Sequence, residues 1–132
     1  MKYRINWIFK NLHLIISLII VVPTAIIYGV YPFSLISQYL DIQVDTNDIS
    51  NLLRAIMFLY LGFSFIWFLG TFKTEYWKLA TQLNILFMLP LATGRVLSMI
   101  IDGLPSDGYI FAVIAELVLG IYSIYQLKKY RM

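Results

Sequence analysis

Four apolar runs, each long enough to cross a bilayer as a helix, govern what this chain can become. They cover about residues 11–31, 52–72, 79–101 and 109–127, and the first is nearly free of polar groups from Leu14 to Gly29. About 20 predominantly apolar residues suffice for a helix to cross the hydrocarbon core. Composition agrees. The chain is 61% hydrophobic and 13% charged, against about 45–50% apolar and about 25% charged for a soluble domain. A soluble chain of 132 residues would have to hide far too much apolar surface, and a bilayer removes that demand. The expected fold is all-α: one domain, an integral membrane bundle of four antiparallel transmembrane helices with both termini cytoplasmic.

The intervening stretches set the topology. Residues 1–10 carry Lys2, Arg4 and Lys10 among aromatic residues and read as an interfacial flank. A cleaved signal peptide is the competing reading of the first run. That run is too long for a usual apolar signal core and no Ala-x-Ala site follows, so it is read as a retained span. Pro23 is expected to kink it without ending it. Phe33, Ile36 and Leu40 recur at helical spacing and predict a short interfacial helix, followed by a solvated loop at Asp41, Asp45 and Asp48. Asp48 or Ser50 is the expected cap of the next helix. Residues 73–78 (KTEYWK) read as a polar turn, and residues 102–108 (DGLPSDG) as a tight one. Lys2, Arg4, Lys10, Lys73, Lys78, Lys128, Lys129 and Arg131 all fall on one side, eight of the ten Lys and Arg. The positive-inside rule puts that side in the cytoplasm. The three tryptophans, Trp7, Trp67 and Trp77, fall toward the same side. The remaining aromatic residues read as lipid-facing or belt residues.

Several chemistries are excluded outright. There are no cysteines, hence no disulfide, thiol nucleophile or thiolate metal site. His13 is the one histidine, so no His pair exists for zinc or haem. It reads as an interface residue. Glu75 and Glu116 are too few glutamates for a di-iron bundle. No cofactor is expected. The net charge of +3 gathers at membrane edges and does not indicate nucleic-acid binding.

What remains is polarity inside the spans. Arg95 and Glu116 lie within apolar runs, and Asp102 lies where the third run meets water. At about 100° per residue, Asn84, Arg95, Ser98 and Asp102 share one face of the third helix. Arg95 lies about 10 Å inside Asp102 at 1.5 Å per residue. Glu116 is equally far inside Tyr109, so a short turn between antiparallel partners brings the two charges to one depth. A lone arginine near the bilayer centre costs about 2.5–3.5 kcal/mol on insertion scales, and an Arg95–Glu116 ion pair is the simplest remedy. Gly94 and Ser98 form a small-xxx-small pair that would let another helix approach closely. Arg54 enters from the outer end of the second span, either to join the same vestibule or as a snorkelling anchor.

Three stretches carry a family resemblance: Gly29 to Pro32 (GVYP); Asn51 to Ala55 (NLLRA) with Gly62; and Gly94-Arg95, Ser98, Asp102-Gly103, Pro105 and Glu116. The chain resembles the small bacterial membrane proteins known as domain of unknown function 4345. More remotely, its layout is similar to DoxX-like four-helix membrane proteins. The resemblance implies a multi-pass protein of the bacterial inner membrane and assigns no activity. It also adds weight to Arg54, Arg95, Asp102 and Glu116 as site residues.

The expected site is an outward-opening polar pocket lined by Arg54, Asn84, Arg95, Ser98, Asp102 and Glu116. Its expected use is non-enzymatic: binding a lipid or a small anionic or amphiphilic ligand, or packing as an accessory subunit in a homo-oligomer or larger membrane complex. Three other readings stand beside it. The Arg–Glu pair serves helix register alone; Asp102 or Glu116 acts as acid or base on an apolar substrate; or the chain is a proton-coupled transporter.

Overall fold

The computed structural model describes residues 1–31 and 33–130. Pro32 of the GVYP motif and Arg131 of the basic flank lie outside the described residues. Among the described residues five helices run in order: α1 (Lys2–Gly29), α2 (Ser34–Tyr39), α3 (Asn47–Phe72), α4 (Thr74–Asp102) and α5 (Asp107–Lys129). All but α2 are long and apolar enough to cross a membrane. The shortest of these four, α5, has 23 residues, about 35 Å at 1.5 Å per residue, against a hydrocarbon core of about 30 Å.

The helix ends have local causes. Pro23 sits inside a continuous α1, and Pro90 inside a continuous α4. The Lys2–Lys10 flank, read as separate from the span, is the first turns of α1 itself. α3 is capped neither by Asp48 nor by Ser50. Thr46 is the cap, and its hydroxyl accepts from the Ile49 N–H at 3.2 Å. Asp48 lies in the first turn, where its charge suits the positive end of the helix dipole. The KTEYWK segment is not a turn, because α4 begins at Thr74 and only Lys73 separates it from α3. α4 stops at Gly103, whose φ of +92° is a conformation L side chains disfavour. Pro105, without an N–H, helps keep the helix from resuming.

α1 packs along α3, α3 against α4 and α4 against α5, and α5 closes the ring more lightly onto α1. The start of α1, the end of α3, the start of α4 and the end of α5 meet at one end of the bundle, here the terminal end. There Trp7 Nε1 donates to the Thr71 carbonyl at 3.1 Å, and Trp77 Nε1 to the Lys10 carbonyl at 3.4 Å. The Gln126 amide donates to the Phe9 and Lys10 carbonyls. The opposite, loop end carries α2, the aspartate loop and the α4–α5 turn.

Large apolar side chains cover the outside, with Phe58 68% and Phe111 73% exposed, as lipid contact requires. Not every aromatic faces lipid. Trp67 is fully buried, and its ring meets Phe87 edge-on at 5.1 Å. Tyr60 meets Phe87 at 4.9 Å. These residues are the core where α3 faces α4, because apolar rings pack as well against each other as against acyl chains. The helices approach most closely at other glycines than the predicted one. A Cβ on Gly70 would strike Ala80, and one on Gly120 would strike Leu89, whereas Gly94 faces open space.

Candidate functional site

The turn between α4 and α5 sets the geometry of the intramembrane charges. Arg95 Nε donates to both oxygens of Glu116, at 3.0 and 3.1 Å. The arginine side chain is 17% exposed and the glutamate 10%. An arginine offers five N–H donors. The pair uses the one on Nε, so the two terminal nitrogens are left free of the carboxylate. The guanidinium also lies over the Tyr109 ring, 5.0 Å from its centre, and the Tyr28 and Tyr60 phenols stand beside it.

Arg95 also forms part of a cavity wall. A cavity of about 790 Å³ opens between α3 and α4, with Tyr28 from α1 and Tyr109 from α5 contributing to its wall. Arg95, Ser98 and the three phenols supply its polar side chains. Leucine, isoleucine and phenylalanine side chains supply nearly all the rest. Leu52, Leu59 and Leu86 line it too, and they are 59%, 58% and 62% exposed. Its mouth is therefore apolar and faces sideways, where lipid lies. Pro90 lacks the N–H that would bond the Leu86 carbonyl, and both residues line the cavity. Gly94 lines it as well, so the small-residue pair with Ser98 forms part of the cavity wall.

The predicted six-residue pocket is not one place. Arg95 and Ser98 line the cavity. Glu116 does not; it stands behind Arg95 and holds it. Asp102 is exposed at the end of α4, where its carboxylate accepts from the Ser98 hydroxyl at 3.0 Å. Arg54 is exposed on α3, stacked 5.0 Å from the centre of the Phe33 ring. It borders a separate shallow hollow with Asn47, Ser50 and Asn51.

Asn84 belongs to a different cluster altogether. It shares a face of α4 with Arg95 but lies 11 residues away, about 16 Å along the axis at 1.5 Å per residue. Asn84 is fully buried. Its amide donates to Ser17 Oγ and its carbonyl accepts from Ser123 Oγ, both at 2.8 Å. Ser17 in turn donates to the His13 carbonyl at 2.7 Å. The chain of donors thus joins α5, α4 and α1 across the bundle interior.

His13 sits beside this network, fully buried inside the bundle. Trp77 and Tyr122 meet its ring edge-on, at 5.9 and 6.3 Å. Its Nε2 lies 2.8 Å from Thr81 Oγ1. The single Thr81 hydroxyl proton goes to the Trp77 carbonyl at 2.8 Å. With that bond made, Thr81 Oγ1 accepts from the His13 tautomer protonated on Nε2.

Sequence reasoning missed Tyr28, Tyr60 and Tyr109 around Arg95, and Ser17, Thr81 and Ser123 around Asn84. For Tyr60 a signal existed, since a phenol in the middle of a span needs a partner. The serines and threonines gave less, because a hydroxyl in a helix can bond its own backbone, as Ser64 does to the Tyr60 carbonyl at 2.8 Å.

No curated protein and no solved structure matches the chain. A family model described as Domain of unknown function (DUF4345) matches residues 9–127. That stretch reaches from α1 to α5 and includes every residue of the cavity and of the buried network. The chain is thus a multi-pass, four-helix membrane protein that belongs to the family of domain of unknown function 4345.

Proposed function

We propose that this protein binds a lipid or another small amphiphile in the cavity between α3 and α4. One observation carries the reading: a lateral, apolar-lipped cavity ends on an arginine whose terminal nitrogens are not taken by its carboxylate partner. Ligand pockets are mostly apolar, with a few well-placed polar groups that fix orientation. Here the tail would lie among the leucines and phenylalanines, and the head would meet Arg95 and the phenols. The lysines and arginines at the terminal end support an orientation with both termini in the cytoplasm. On that orientation the cavity belongs to the outer half of a bacterial inner membrane.

Two features weigh against the acid–base alternative. Glu116 is held against Arg95, and Asp102 is exposed and lies outside the cavity lining. A proton-coupled transporter gains nothing either, because no carboxylate among the described residues lines the cavity.

The test uses Gly94→Phe. Gly94 lines the cavity, and a Cβ there meets nothing within 4 Å, so a side chain can start from this position and a ring on it takes up cavity space. Lipids retained by the purified protein are identified by native mass spectrometry. Wild type should hold a lipid that Gly94→Phe releases. Identical lipid profiles would overturn the ligand reading and leave an accessory subunit as the better one.

A further inference from the structure

The polar end of the cavity carries no surplus of positive charge. Glu116 already neutralises Arg95, with both oxygens on Nε. Asp102 brings a second carboxylate within one bond of the lining, through the Ser98 hydroxyl at 3.0 Å. One cation thus faces two anions. The other arginine of this end, Arg54, is engaged over Phe33 and borders a different hollow. Asp41, Asp45, Asp48 and Asp107 add further negative charge to the loop end.

A phosphate or carboxylate head would enter this field unfavourably, and charges interact strongly where water is scarce. The side-chain hydrogen-bonding groups nevertheless favour an acceptor. The guanidinium can only donate, and the Tyr28, Tyr60 and Tyr109 hydroxyls donate as well as accept, partly engaged with Arg95 and with one another. Donors without net positive charge suit an uncharged oxygen.

We infer that the ligand is an uncharged amphiphile whose head presents carbonyl, ester or ether oxygens to Arg95 and the tyrosines, and that the site selects against anionic lipids. This rests on the reading of the cavity as an amphiphile site. The lateral mouth fits such a ligand, because an uncharged lipid partitions into the hydrocarbon and can arrive from it directly.

Two probes with identical chains separate the charge of the head from everything else: dioleoylglycerol and dioleoyl phosphatidic acid. The protein is reconstituted in phosphatidylcholine nanodiscs doped equally with both, and bound lipid is read by native mass spectrometry. Wild type should retain the diacylglycerol over phosphatidic acid by about tenfold or more. Glu116→Gln, which unmasks the arginine, should move the ratio toward phosphatidic acid by about tenfold. Asp102→Asn, at an exposed position that leaves the buried pair intact, should move it the same way by a smaller factor. Phosphatidic acid preferred by wild type overturns the inference, as does a ratio indifferent to Asp102→Asn. Where retention responds to Gly94→Phe, such a result leaves the cavity reading standing. Retention of neither probe in a Gly94→Phe-sensitive manner overturns both.

Discussion

Glu116 meets Arg95 with both carboxylate oxygens on one nitrogen, at 3.0 and 3.1 Å, while Arg95 itself lines the cavity. The pair therefore has two aspects. Toward α5 it is a link between neighbouring helices. Toward α3 it is a set of donors held at a fixed place.

The first aspect predicts stability. Glu116→Ala strands a largely buried arginine, and breaking a buried pair this way costs about 3–5 kcal/mol. The double change Arg95→Leu with Glu116→Leu should regain most of that loss. Thermal unfolding in detergent measures both. A single mutant that melts like wild type would falsify the pairing as a stabilising contact.

The buried network predicts a second effect, independent of the first. Asn84→Ala removes two interhelical side-chain bonds, to Ser17 and from Ser123. Such bonds in membrane proteins average about 0.6 kcal/mol and reach about 1.7 kcal/mol each. A loss of about 1–3 kcal/mol is expected. In a double-mutant cycle, Ser17→Ala should cost little more once Asn84→Ala is present. Full additivity would mean that the two side chains do not communicate.

Glycines divide into two kinds, and substitution tells them apart. Gly120→Ala places a methyl group against Leu89, and overpacking of this type costs about 1–3 kcal/mol. Gly94→Ala meets open space and should be neutral or stabilising by up to about 1 kcal/mol, the difference in helix propensity. Reversed signs in the melting temperatures would restore the predicted close helix contact at Gly94.

Orientation is open to labelling because the chain has no cysteine. Single cysteines at Asp45 and at Lys128 report the loop end and the terminal end. A membrane-impermeant thiol reagent applied to intact spheroplasts should modify Asp45→Cys at once and Lys128→Cys only after lysis. The opposite pattern would invert the bundle and place the cavity in the inner leaflet.

The amino-acid order by itself determined the four spans, a tight turn within residues 102–108 and the pairing of Arg95 with Glu116. Each depends on local quantities. Transfer of an apolar run into a bilayer is nearly a sum over its residues, and a short turn equalises depth on its two flanks. Tertiary structure alone decided which other polar groups meet. Asn84 finds Ser17 67 positions away and Ser123 39 positions away, and no periodicity along α4 encodes those distances. A shared helix face placed Asn84 and Arg95 in one predicted pocket, yet about 16 Å of helix rise separates them. The cavity was equally hidden. It lies beside Gly94, where a Cβ would meet nothing, while close approaches fall at Gly70 and Gly120, and whether a glycine meets a neighbour depends on where the other helix runs.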